Sequence, residues 1–237
     1  MRLHRFYTKD HLAGQEEITL RDEAALHQLR DVFRLAKGDR VIFFNGDGLD
    51  YIYEARIISK KDAEFGFVET TQNITISKKV TLLMSLIKKD NFEMVLEKAT
   101  EIGVTHFVPV MTERVQKKNI DMNRAHRIVR EASEQCGRGD VPTIGEIMDL
   151  EDVLKENPDV IIFDMDGENI SNYKLATNDY KLLIGPEGGW SDKEIQMFKD
   201  LPADRQGLKI QTYKLGDTVL RAETAAIVAS AFVIRGE

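Results

Sequence analysis

Two hydrophobic rhythms follow one another along the chain. Up to about residue 70 the apolar positions come in short β-branched and aromatic runs, 40–44 (RVIFF) and 51–58 (YIYEARII), which favour strands. Asn45-Gly46-Asp47-Gly48 between them is turn chemistry, so the pair predicts a β-hairpin. A short helix is predicted over 23–33, and a further strand over 64–69 after the turn Lys60-Lys61-Asp62. From about residue 79 apolar runs alternate with helical periods. Residues 80–87 (VTLLMSLI), 106–111, 160–163, 181–184 and 208–213 read as strands.

Between the first two of these, Phe92, Val95, Leu96, Ala99 and Ile102 repeat at helical spacing. Asp90 and Glu93 are spaced as a reciprocal N-terminal cap, and Gly103 is placed to close the helix. A basic helix is predicted over 123–136. The last helix begins near Arg221 and is expected to bury Ala222, Ala225, Ala226, Ala229, Phe232 and Val233 on one face. Apolar strands alternating with helices imply a largely parallel sheet covered on both faces, an α/β fold. The polar run 70–79 marks the boundary between two domains, 1–72 and 73–237.

Charge changes the picture through its distribution. The net charge of -7 argues against a nucleic-acid partner until it is divided along the chain. Residues 146–168 hold nine acids against Lys155, a local -8, so the remainder carries +1. Residues 111–138 hold seven Lys/Arg against four acids, a local +3. Segregated signs make net charge a poor guide, although a basic stretch of this size is also what a solvated helix face looks like. The single cysteine, Cys136, cannot form an internal disulfide and fits a reducing compartment. The N-terminus MRLHRFYTKD has no apolar export core and no segment reaches the length of a membrane span, so the expected location is cytoplasmic with no membrane partner. His4, His11, His27, His106 and His126 share no ligand spacing, and no metal is expected.

Ligands of open parallel sheets bind beyond the carboxyl ends of the strands, and two such ends are unusual here. Gly185-Pro186-Glu187-Gly188-Gly189 lets backbone approach a ligand, and Ser191 and Glu194 follow as a capping box; a plain strand-to-helix turn would use the same residues. The second is LGDTVLRAET, 215–224, where apolar Val219 and Leu220 stand in a loop and Arg221 sits at a helix N-terminus that disfavours a cation. An anionic partner, or a salt bridge to Glu223 or Glu187, would account for it.

The blocks IGPEGGWS and LGDTVLRAETAA, with LEKATEIGVTHFVPVMTERV and EASEQCGR upstream, resemble the RsmE family of 16S ribosomal RNA uridine-N3 methyltransferases of the SPOUT superfamily. The N-terminal part, with HQLRDVFRLAKGDRV, is similar to that family's PUA-like RNA-binding β-barrel. The resemblance implies a C-terminal α/β domain with a deep trefoil knot. It implies S-adenosylmethionine held by Gly185, Pro186, Glu187, Gly188 and Gly189, with Leu215, Gly216, Val219 and Leu220 enclosing its adenine and Ile184 and Thr224 completing the set. It also implies a homodimer, and as substrate 16S RNA or the assembled small ribosomal subunit.

For the chemistry so implied, Arg221 or Arg138 suits the uracil oxygens, and Glu187 or Glu223 is a candidate acceptor of the N3 proton. Arg2, Arg5, Arg114, Lys117, Arg124, Arg127 and Arg130 are the expected RNA contacts. Two other readings compete. VIIFDMDG, 160–167, resembles the nucleophile motif of haloacid-dehalogenase-type phosphatases, with Asp164 and Asp166 as the reacting pair, but no second acidic pair closes a magnesium site. A non-catalytic RNA-binding assembly factor would keep the fold without turnover.

Overall fold

The computed structural model describes residues 3–74, 76–115, 119–201 and 212–236. The chain divides into two compact units, Met1–Thr75 with Ser133–Val141, and Ile76–Ala132 with Pro142–Glu237.

The first unit contains β1 (His4–Tyr7), β2 (Glu17–Leu20), α1 (Glu23–His27), β3 (Arg40–Phe44), β4 (Leu49–Ile58) and β5 (Ala63–Gln72). They form one sheet in the order β1-β3-β4-β5-β2, with β1 parallel to β3 and the other pairs antiparallel. The β3–β4 hairpin forms as its sequence predicts, with Gly46 and Gly48 at positive φ in the turn. Phe6, Phe43, Tyr53 and Phe65 meet in the core, Phe43 lying edge-on to both Tyr53 and Phe65. The helix expected over 23–33 is α1 followed by a π-type turn, Gln28–Val32.

Segment 133–141 belongs to this unit, and a polar network explains why. Arg5 pairs with Asp50 through both guanidinium nitrogens, one at 2.8 Å, and donates to the Arg138 carbonyl at 3.2 Å. The Tyr7 amide donates to Glu134 at 2.9 Å, and the Arg138 side chain binds Asp140 twice, at 2.9 and 2.8 Å. The Arg5 side chain is only 7% exposed and lies over the Phe44 ring. The exposed RNA contact expected of Arg5 is therefore corrected to a buried ion pair.

The second unit contains β6 (Lys79–Ser85), α2 (Lys89–Ile102), β7 (His106–Met111), α3 (Met122–Cys136, its last residues counted with the first unit), β8 (Thr143–Ile144), β9 (Met148–Asp149), α4 (Leu150–Glu156), β10 (Ile161–Asn169), β11 (Asp179–Ile184), α5 (Asp192–Lys199), β12 (Thr212–Lys214) and α6 (Ala222–Arg235). Its sheet runs β12-β10-β11-β6-β7-β8, with β9 also on β7, and every pair is parallel. The apolar runs at 80–87 and 181–184 become adjacent central strands, buried because helices cover them. Gly103 closes α2 at φ 125°. The reciprocal cap expected from Asp90 and Glu93 does not form. The helix starts a turn-fraction earlier, at Lys89, and Glu93 instead accepts from Arg124 at 2.5 and 2.6 Å. On α6, Ala222, Ala226, Ala229 and Val233 are buried as expected, Ala225 and Phe232 only partly, and Glu223 and Ser230 join the buried face. Of the strand expected at 208–213, the part before Thr212 lies outside the described residues.

Candidate active site

The site forms at the end of β11, where its pairing with β10 stops at Phe163 opposite Ile184. After Ile184 the chain turns through 185–190, with the Gly189 amide donating to the Pro186 carbonyl at 2.9 Å and Gly189 at φ +67°. Trp190 is buried beneath this turn and donates its indole N–H to the Phe163 carbonyl at 2.9 Å. A Cβ at Gly185 would stand 2.9 Å from the Trp190 ring, so the turn needs glycine there.

The capping box expected of Ser191 and Glu194 is present and does more than cap α5. Glu194 also accepts the Glu113 amide at 2.8 Å, and Ser191 Oγ donates to Glu113 Oε2 at 2.6 Å. The loop after β7 is thereby fixed beside the glycine turn, where Arg114 donates to the Gly188 carbonyl at 2.9 Å.

The opposite wall comes from the segment between β12 and α6. Together the two loops enclose a cavity of about 700 Å³. Ile184, Gly185, Pro186, Glu187, Gly188, Gly189, Leu215, Val219, Leu220 and Arg221 all line it, whereas Gly216 and Thr224 do not. Arg138 is not part of this lining; it is buried in the first unit and bound to Asp140. Asp164 and Met165, the first two residues of the Asp-x-Asp-Gly motif, contribute to the wall, and among the described residues no group of His, Cys, Asp or Glu is placed to hold a metal.

Two charged residues of this wall differ in setting. The Arg221 side chain is 85% exposed, caps nothing, and approaches Glu223 only to 4.0 Å. Glu223 is 8% exposed, and its Oε2 is buried without a hydrogen-bond partner among the described residues. A buried carboxylate oxygen left unpaired is costly, so it calls for a donor inside the cavity. Glu187, in contrast, is exposed and accepts from Asn91 at 3.2 Å. Apolar walls, main-chain groups of a glycine turn and an unpaired carboxylate form a donor set that fits a ligand with a flat base and a cationic end.

Of the expected RNA contacts, Arg127 and Arg130 are exposed on α3, Arg124 is committed to Glu93, and Arg114 is held by Gly188. Arg2 and Lys117 lie outside the described residues. Sequence reasoning missed Lys88, which lines the cavity at the end of the β6 run; a position just past a parallel strand was the available signal.

Comparison with known proteins follows the same lines. The model of the RNA methyltransferase domain matches residues 75–234. The ribosomal RNA small subunit methyltransferase E of Rickettsia conorii is 28% identical over 98% of this chain and 96% of its own. That of Synechocystis is 31% identical over 88% of this chain and 70% of its own. The ribosomal RNA small subunit methyltransferase E of Neisseria gonorrhoeae, solved with S-adenosyl methionine bound, superimposes with a TM-score of 0.84 at 26% identity, covering 97% of this chain and 96% of its own. A methyltransferase of Legionella pneumophila in complex with the same cofactor gives a TM-score of 0.86 at 29% identity, covering 98% and 97%.

Proposed function

The chain belongs to the RsmE family of ribosomal RNA small subunit methyltransferases of the SPOUT superfamily, and we propose that it methylates N3 of a uridine in the decoding region of 16S RNA, using S-adenosylmethionine held in the cavity between 184–190 and 215–223. The observation that carries this reading is that both loops converge on one cavity, at the carboxyl end of β11 and beside the point where β10 parts from it after Phe163. Main-chain groups of 185–189 and the side chains of Ile184, Leu215, Val219 and Leu220 would hold the adenine. Glu223 would offer its unpaired oxygen to the cationic amino group.

Bound there, the cofactor supplies a methyl group already activated on a sulfonium. The protein's share is to bring the uracil into position and to manage its N3 proton. The Arg221 guanidinium would suit the negative charge that develops on the uracil oxygens. Glu187, exposed at the edge of the cavity, would accept the proton and pass it to water.

The finer architecture is part of the same proposal. A deep trefoil knot in the C-terminal segment is supported by β12 pairing with β10 at the sheet edge while α6 packs on β6, β11 and α2. A PUA-like RNA-binding role for the first unit is supported by its five-stranded sheet. A homodimer is supported by apolar side chains left outward on adjacent helices, Val228 on α6 and Met94 on α2. No helix among the described residues is long and apolar enough to cross a membrane. A cytoplasmic location is supported by ribosomal RNA as the proposed substrate.

The test is methyl transfer to small ribosomal subunits followed by mapping of the modified base. Methylation at uridine N3 is expected; transfer to another base, or none to subunits or free RNA, overturns the proposal.

A further inference from the structure

A second cavity, of about 540 Å³, adjoins the first, and the two share Lys88, Pro186, Glu187 and Gly188. Its charged lining is Lys88, Lys89 and Arg114 against Asp90 and Glu187. Three cations and two carboxylates leave one net positive charge. The Lys88 side chain has no ion-pair or hydrogen-bond partner among the described residues, and Lys89 reaches Glu93 only at 3.7 Å. Arg114 spends Nη1 on the Gly188 carbonyl and keeps its remaining N–H donors. Its backbone is fixed from behind, because the Glu113 amide is bound by the capping carboxylate of α5.

We propose that this second cavity is a phosphodiester subsite, in which Lys88, Lys89 and Arg114 hold one phosphate of the RNA next to the nucleotide that enters the methyl-donor cavity. The inference rests on the methyltransferase reading of the first cavity. A ribonucleotide whose base reaches the shared wall carries a phosphate about one ribose away, and the adjoining cleft is where that phosphate falls. One net positive charge matches the single negative charge of one phosphodiester. Phosphate contacts of this kind fix register without reading sequence. Lys88, at the seam of both cavities, is then a positioning residue that ties backbone capture to base placement.

The experiment is an NMR titration of the full chain with UpU and with its uncharged methylphosphonate analogue, after saturation with S-adenosylhomocysteine. UpU is expected to shift amides at 87–90 and 113–115 saturably, and the neutral analogue to bind about tenfold or more weakly, as loss of a charge-assisted contact implies. Lys88→Gln and Lys89→Gln should each weaken UpU severalfold while the rest of the spectrum superimposes on that of the unsubstituted protein. Equal affinity for the charged and neutral dinucleotides, shifts confined to other surfaces, or no binding of UpU would overturn the subsite. Failure of the donor reading is separately visible, as absence of shifts at 184–190 and 215–223 when S-adenosylhomocysteine is added.

Discussion

Trp190 donates its indole N–H to the carbonyl of Phe163 at 2.9 Å, and this bond ties the glycine turn after β11 to the residue of β10 at which the two strands part. The ring also packs edge-on against Phe198 of α5, with centroids 5.0 Å apart. One side chain thus sets the floor of the cavity and the direction in which the next helix leaves.

Gly185→Ala should disturb that floor, since its Cβ would press on the ring. The expected cost is about 1–3 kcal/mol of stability, typical of overpacking. Affinity for S-adenosylmethionine should fall by about tenfold or more as the turn moves, a loss of about 1.4 kcal/mol or greater. Thermal unfolding and calorimetric titration read the two effects; unchanged values in both would remove the glycine from the argument.

Glu223→Gln separates binding from fold. The substitution keeps shape but removes a carboxylate whose Oε2 lacks a partner, so melting should be unchanged or slightly raised. Donor affinity should drop by about an order of magnitude if the oxygen meets a cationic group. 5′-Methylthioadenosine, which lacks the aminocarboxypropyl chain and with it the cationic α-amino group, should bind both proteins alike. A variant that binds S-adenosylmethionine as well as the parent contradicts the assignment.

Arg221→Ala should act on turnover alone. The side chain is exposed and loosely paired, so stability should not change. If the guanidinium stabilises charge on the uracil, kcat should fall by about 10²–10³, with donor affinity within a few fold. Single-turnover methylation of ribosomal subunits is the readout, and a near-normal rate would end that role.

Asp50→Ala probes the first unit. It would leave the Arg5 guanidinium buried without its bidentate partner, at an expected cost of about 3–5 kcal/mol. Chemical denaturation measures this, and a loss below 1 kcal/mol would show that Arg5 finds water or another acceptor.

His106 gives stability a pH dependence. Burial holds its folded-state pKa below the ordinary 6.5, against an opposing hydrogen bond with the Thr143 backbone. The unfolded chain therefore binds the proton first as pH falls through 6.5, and stability drops from there toward the lowered folded value. Melting temperatures between pH 7.5 and 5 should decline less in His106→Gln than in the parent; parallel curves would exclude the residue.

Local chemistry was legible in the sequence, and long-range pairing was not. The β3–β4 hairpin, the Ser191–Glu194 capping box and the glycine turn each lie within a few residues, so spacing alone located them. Asp90 and Glu93 had capping spacing too, but Glu93 found Arg124, 31 positions on. Arg5 was expected to contact RNA because nothing near it in sequence announces Asp50, its partner 45 positions on, or the Arg138 carbonyl that also accepts from it. Lys88 was missed for the converse reason: its place past the β6 run was readable, but the seam between two cavities on which it lies exists only in the folded sheet.

The most direct test of the donor cavity is calorimetric titration of the purified protein with S-adenosylmethionine, repeated on Gly185→Ala. Saturable binding that the glycine substitution weakens by tenfold or more is the predicted result. No heat of binding, or binding that the substitution leaves untouched, would contradict the claim that the loops at 184–190 and 215–223 hold the methyl donor.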